Sequence, residues 1–116
     1  MAIAVTSTKN ALCAAYATLA QTIYVSVHVA DPGAEGKNEA SGGSPAYARK
    51  PTTWNAPANG QITGGQVTID LPAGTYTHAG LWSAASGGTF IDKVAIAPTT
   101  LGAQGTLLIT PTFTMS

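Results

Sequence analysis

The side chains with the most chemical potential in this sequence are two histidines, His28 and His78, one cysteine, Cys13, and a handful of carboxylates. A nucleophilic hydrolase needs a nucleophile, a base within hydrogen-bond reach and a group that orients the base. Cys13, either histidine and Asp70 supply those residue types, but no spacing links them and Cys13 stands in no motif. Two histidines on strands would make half a metal site. The sequence offers no third ligand at a metal-binding spacing, and Cys13 has no second cysteine for a Cys-x-x-Cys pair or an intrachain disulfide. The run Gly33-Ala34-Glu35-Gly36-Lys37 is too short for a phosphate-binding loop and departs from its pattern. The expectation is therefore no catalytic residue, no metal ligand and no cofactor. The imidazoles are read as structural groups bonded to backbone, and Cys13 as a small buried thiol.

Binding is the other chemistry these residues allow. Asp31, Glu35, Lys37 and Glu39 gather in one stretch, and Arg49 follows. Arginine can grip a carboxylate with two parallel hydrogen bonds, so Arg49 is expected to pair with Glu39 or Asp31. Aromatic residues at strand positions are more often core than ligand contacts. Trp82, beside Leu81 and Gly80, reads as core. Trp54 follows a proline near a strand end and reads as the better exposed contact. The candidate interface set is thus Asp31, Glu35, Glu39, Arg49 and Trp54.

The elements that must position these residues follow from periodicity. Lys9 to about Ala20 is Ala-rich with Leu12, Tyr16 and Leu19 at helical spacing, which predicts a helix over 9–20 capped by Ser7 or Thr8. Residues 1–6 are apolar and β-branched and predict an arm or edge strand. From Ile23 to Ala30 the pattern alternates, with Ile23, Val25, Val27 and Val29 on one side, which predicts a half-buried strand. Asp31-Pro32-Gly33 ends it, and 31–46 reads as a long Gly- and Ser-rich loop. That loop and the arm are the expected clasps for neighbouring subunits. Tyr47 to Trp54 reads as an edge or bulged strand, because Pro51 cannot donate to a ladder. Further strands are predicted over Gln66–Leu71, Thr75–Ala84, Phe90–Ala97 and Thr106–Met115, with turns at Asn59-Gly60, Gly64-Gly65, Pro72-Ala73-Gly74 and Ser86-Gly87-Gly88. The result is one domain over 1–116: a mainly β, jelly-roll-like sandwich of about six or seven strands with one N-terminal helix. Its expected core contains Leu12, Tyr16, Val25, Val27, Val67, Ile69, Leu81, Trp82, Phe90 and Ile109.

Composition narrows the function. Only 9% of the 116 residues are charged, against about 25% in ordinary soluble domains. Five basic and five acidic residues cancel, and nothing forms a basic patch, so phosphate-driven nucleic-acid binding is not expected. No apolar run reaches the length of a membrane helix. Lys9 and Asn10 interrupt the apolar start, so a signal peptide is not favoured. Low charge leaves little to keep copies apart, which points to life in an assembly.

One ordered series of motifs carries a resemblance. It begins with Lys9-Asn10-Ala11-Leu12 and continues with Val25-Ser26-Val27-His28-Val29-Ala30-Asp31-Pro32-Gly33, Ser41-Gly42-Gly43 and Tyr47-Ala48-Arg49. It ends with Thr77-His78-Ala79-Gly80-Leu81-Trp82 and Gly87-Gly88-Thr89-Phe90. The series resembles small tailed-phage structural proteins of the type found in actinobacteriophages and commonly labelled tail fibre or minor virion proteins. The resemblance runs from about Lys9 to the end of the sequence. It implies a non-enzymatic virion part whose partners are other virion proteins, the major capsid protein or tail proteins. A homo-oligomer, with a trimer favoured, is expected. This sequence has Ser83 after Trp82, where similar sequences often carry an acid. It also has no coiled coil or collagen-like repeat, which a shaft needs. For that reason a capsid decoration or minor capsid protein on the capsid surface is the favoured expectation. A tail-fibre or tail-tip module that binds a host ligand is the alternative, and a free sugar-binding domain is a third class.

Overall fold

A computed structural model of the chain describes residues 4–19 and 22–114. Residues 1–3 of the expected arm, Ala20 at the expected helix end and Met115 of the last expected strand lie outside the described residues. The elements are a helix α1 (Thr6–Ala17) and eight strands: β1 (Ile23–His28), β2 (Lys50–Thr52), β3 (Gln61–Thr63), β4 (Val67–Leu71), β5 (Gly74–Trp82), β6 (Phe90–Leu101), β7 (Gly105–Ile109) and β8 (Thr112–Thr114).

The strands form a mainly antiparallel sandwich, as the periodicity predicts. The larger sheet has the order β2-β1-β5-β6. A two-stranded β4–β7 ribbon packs on its inner face, and a β3–β8 ribbon lies against the helix. Between the layers sit Val25, Val27, Val67, Ile69, Leu71 and Tyr76, with Leu81, Leu101, Leu107 and Ile109 closing the periphery. Alternation explains this directly: Val67, Ile69 and Leu71 are buried while Thr68 points out. Each fully buried Ile or Leu contributes roughly 2 kcal/mol of transfer free energy.

Four expectations are corrected. First, β1 is buried on both faces except at Tyr24, because Ser26 and His28 lie under a covering segment rather than in solvent. The strand also stops at His28, which leaves Val29 exposed. Second, α1 docks a different stripe. Lys9, Asn10, Cys13, Tyr16 and Ala17 face the body, while Leu12 is 38% exposed and Leu19 lies outward. The cause is a polar anchor: the Asn10 side chain accepts the Gly60 N–H at 2.7 Å. Tyr16 stacks on Phe113 with ring centroids 3.8 Å apart. Those contacts turn Leu12 out of the core. Third, the helix starts at Thr6, and its N-cap is Val5 without a side-chain cap bond, so neither Ser7 nor Thr8 caps it. Fourth, the last predicted strand breaks at Thr110-Pro111 into β7 and β8, and β8 pairs with the unforeseen β3.

The turns obey their chemistry. Ala58 and Gln61 exchange both backbone hydrogen bonds at 2.9 Å across Asn59-Gly60, whose φ angles of 53° and 72° make a two-residue hairpin turn. Pro51 lies in β2 at the sheet edge, where a missing N–H costs no ladder bond.

The segment 31–46, expected to be a free clasp, packs on its own chain. Pro32, Gly36 and Ala40 are buried. Its backbone continues the β1 edge through Val29 N–H to Asn38 O and Ala40 N–H to Val27 O, both at 2.9 Å. Gly36, at φ 75°, lets the chain lie on the Trp82 indole; a Cβ there would overlap that ring and stand 2.9 Å from Phe90. Gly36→Ala is therefore expected to destabilise the fold by at least about 2 kcal/mol, combining overpacking with a left-handed backbone. Urea denaturation of the variant beside the parent checks this.

Candidate functional site

Two places in the fold concentrate chemistry: a polar network under the covering segment and an apolar groove on the opposite side. The network centres on Arg49, just before β2. Its Nε and Nη2 donate to the two oxygens of Glu39 at 2.8 and 2.9 Å. Its Nη1 donates to the carbonyls of Ala84 and Gly87 at 3.0 and 2.9 Å, so one guanidinium holds the β5–β6 turn as well. The same group lies 3.7 Å over the Trp82 ring. Tyr47 completes the set, donating to Glu39 Oε2 at 2.6 Å and accepting the Val27 N–H at 3.2 Å. Burial opposes charge on Glu39, but Arg49 and Tyr47 outweigh it and hold the carboxyl below its usual range. Burial and the bond to Glu39 push the Tyr47 phenol far up.

Beneath Trp82 runs a second chain of hydrogen bonds. The Lys37 carbonyl only accepts, so His28 Nδ1 carries the proton that bridges them at 2.7 Å. Nε2 then accepts, and Ser26 Oγ donates to it at 2.7 Å. The Trp82 indole N–H donates to Ser26 Oγ at 3.1 Å. Burial drives the His28 pKa below its ordinary 6.5, against the pull of the Lys37 carbonyl. A Ser–His pair has the look of a nucleophile and base. Here Ser26 and His28 are fully buried, and His28 is oriented by a backbone carbonyl rather than a carboxylate. Asp70 lies in the other layer on β4, in register with Thr106, and Cys13 is buried on α1. His78 stands opposite His28 on the ladder, but its Nδ1 meets Thr77 Oγ1, and both ring nitrogens of His28 are occupied. No cluster of three metal-ligating side chains occurs among the described residues.

The sequence-predicted interface residues separate. Glu39 and Arg49 turn inward and pair with each other. Asp31 is exposed and takes Lys93 rather than Arg49, while accepting the Gly33 N–H at 2.9 Å. The Lys93 bond lowers its pKa. Glu35 is exposed and sits 3.4 Å from Lys37. Trp54, expected as an exposed contact, is half-buried edge-on to Tyr16, and its Nε1 is buried without a partner among the described residues. The helix that reaches across with Tyr16 is what covers it. Ser83 follows Trp82 at the start of the β5–β6 turn. Its Oγ accepts the Thr89 N–H at 2.8 Å and so closes the β5–β6 turn.

The groove has a volume of about 380 Å³ and opens between β6 and the β7–β8 segment. Leu81, Val94, Ile96, Ile109 and Phe113 line it. Its charged members, Asp92 and Lys93, are engaged within the chain: Tyr16 donates to Asp92 at 2.8 Å, and Lys93 bonds Asp31. Burial, then Asp92, pushes the Tyr16 phenol up. No local pattern in the sequence foretells this groove, because it arises from a four-stranded layer facing a two-stranded one.

Fold and site together define a small antiparallel β-sandwich module whose polar groups are turned to internal bracing. Residues 5–112 match the family described as Podophage GP4 fiber I protein gp80, and the chain belongs to that family. It is thus a phage fibre-type structural protein, and such a protein associates with other components of the virion. The capsid-surface position favoured on composition finds no support in that family. No curated protein matches the chain.

Two outcomes follow from the network. Arg49→Ala strands the Glu39 charge and is expected to cost about 3 kcal/mol, whereas Arg49→Lys, which keeps charge but loses the fork and the stack, is expected to cost about 1–2 kcal/mol. Urea denaturation separates them. The pH dependence has a definite sign. The folded His28 pKa lies below 6.5, so the unfolded chain takes up that proton first, and stability falls as pH drops below about 6.5. Glu39 lies below its ordinary 4.5, so a further loss begins as pH falls below about 4.5. Melting temperature against pH is expected to show both declines, and His28→Gln is expected to flatten the upper one.

Proposed function

We propose that the protein is a non-enzymatic component of a phage tail fibre or fibre base, present in few copies and assembled as a homo-oligomer, with a trimer favoured. The single observation that carries this reading is the fibre family match over residues 5–112. It shifts the weight from shell decoration, which low charge and the absence of shaft-forming repeats favoured, toward the tail. The geometry supports a bracing role. The residue types that serve catalysis are placed in the core or in structural hydrogen bonds, with Ser26, His28 and Cys13 all out of solvent. The domain is long for its size: its radius of gyration is 14.8 Å, against about 13 Å for a compact chain of this length. A rod-like module with extents of 46 × 24 × 24 Å suits side-by-side or end-to-end packing in an appendage. No host ligand is assigned, since Trp54, the residue expected to meet one, is half-buried against Tyr16.

Quantitative mass spectrometry of purified particles, with the major capsid protein as the standard, tests the placement. A handful of copies in a multiple of three or six is the expected result. Hundreds of copies, near parity with the capsid protein, would return the protein to the shell.

A further inference from the structure

We propose that the groove between β6 and the β7–β8 segment is the contact surface for a second copy of this chain. This inference rests on the reading of the protein as a virion part that assembles in copies, and it names the surface through which it does so.

The argument starts with strand edges. β6 is twelve residues long and pairs only with β5, so its outer edge pairs with no strand among the described residues. β7 pairs only with β4, and its other edge is likewise open. Free monomers guard such edges with charges, prolines, bulges or a covering loop. β6 is bulged near Pro98 and again between Phe90 and Asp92, but the Asp92–Ala95 stretch between those irregularities is in regular register and has no proline, and its two charged residues are bound to groups of their own chain. The covering segment lies on the opposite face, over Trp82 and Phe90. Among the described residues, no strand covers the Asp92–Ala95 edge.

The apolar side chains show the same imbalance. Val94 on one rim is 59% exposed and Leu108 on the other is 57% exposed, on either side of a groove floored by Leu81 and Ile109. The groove is large enough for a small ligand. It has no uncommitted charge to orient one, because Asp92 and Lys93 already have partners. A strongly charged macromolecule would meet no counter-charge there. A second copy fits on three counts. Its own face is equally neutral, so no unpaired charge is buried. Its exposed strand edges carry the backbone donors and acceptors that the open edge needs. A long side of the molecule, 46 × 24 Å in extent, can bury the roughly 800 Å² per partner of a stable interface.

The experiment is light scattering coupled to size-exclusion chromatography on the full chain at about 100 µM, with circular dichroism of every variant. The parent is expected to run as an oligomer. Val94→Asp and Leu108→Asp are each expected to weaken self-association on the order of 100-fold, giving monomer, while Val29→Asp on the covering-segment side leaves the oligomer intact. Should Val94→Asp lose its β spectrum, Val94→Thr preserves the β-branched strand and is expected to weaken association about tenfold. A monomeric parent, or folded groove variants that remain oligomeric, would overturn the proposal. So would groove variants that stay oligomeric but fail to enter particles, since the surface would then serve a different virion protein. Particle mass spectrometry keeps the two readings apart. A protein found in the tail whose parent chain is monomeric removes the groove contact alone. A groove-dependent oligomer missing from particles removes the virion reading alone.

Discussion

The guanidinium of Arg49 is the tie on which the rest of the structure depends. It joins three pieces of chain that are distant in sequence: Glu39 in the covering segment, Trp82 at the end of β5, and the carbonyls of the β5–β6 turn. An ion pair at a protein surface contributes little, because water screens it and side-chain entropy opposes it. This pair is different in kind. The Arg49 and Glu39 side chains are only 9% and 22% exposed, the contact is bidentate, and the cation rests on an indole. Burial makes the tie demanding as well as strong: each partner needs the other, since either charge left alone would be stranded out of water.

Holding the covering segment down has consequences across the sheet. It turns one face of β1 from a solvent face into an interior one, which is why Ser26 and His28 are buried and must satisfy each other. The chain from Trp82 N–H through Ser26 and His28 to the Lys37 carbonyl does so without a loose end. Gly80 belongs to the same arrangement. A Cβ at that position would come within 2.7 Å of both Ser26 Oγ and the Phe90 ring. Because the segment covers one face of the large sheet and only two strands cover the other, the uncovered apolar surface falls on the β6–β7 side. Internal bracing and the exposed apolar groove are therefore two results of one asymmetry.

Much of this was legible in the sequence, and the failures have specific causes. Period-two alternation located β1 and β4, the turn signals around Gly74 and Gly87-Gly88 bounded β5 and the start of β6, and Asn59-Gly60 located a turn, because local backbone chemistry decides those features. The Arg49–Glu39 pair followed from residue type, although as a brace within the chain rather than a contact between subunits. The helix stripe failed because apolar spacing favoured Leu12, whereas a hydrogen bond from Gly60 to Asn10 and a ring stack on Phe113 set the rotation. Those contacts are 50 residues away or more, beyond any local pattern. Glycine and serine richness in 31–46 suggested a free loop. The same glycines are what allow close backbone approach to Trp82, so composition alone cannot separate a mobile loop from a fitted one. The Ser26–His28 pair was hidden by the alternation itself, which assigned both residues to solvent.

The claim that the 29–49 segment is a fitted layer of the fold, held by Arg49, is tested most directly by amide hydrogen exchange on the intact chain. The amides of Val29, Lys37 and Ala40 donate to Asn38, Pro32 and Val27 carbonyls at 2.9 Å. They are expected to be protected to within about tenfold of the β1–β5 ladder, and to lose that protection in Arg49→Ala while the ladder keeps its own. Exchange of those three amides at the rate of an unstructured peptide, with β1 and β5 protected, would contradict the account.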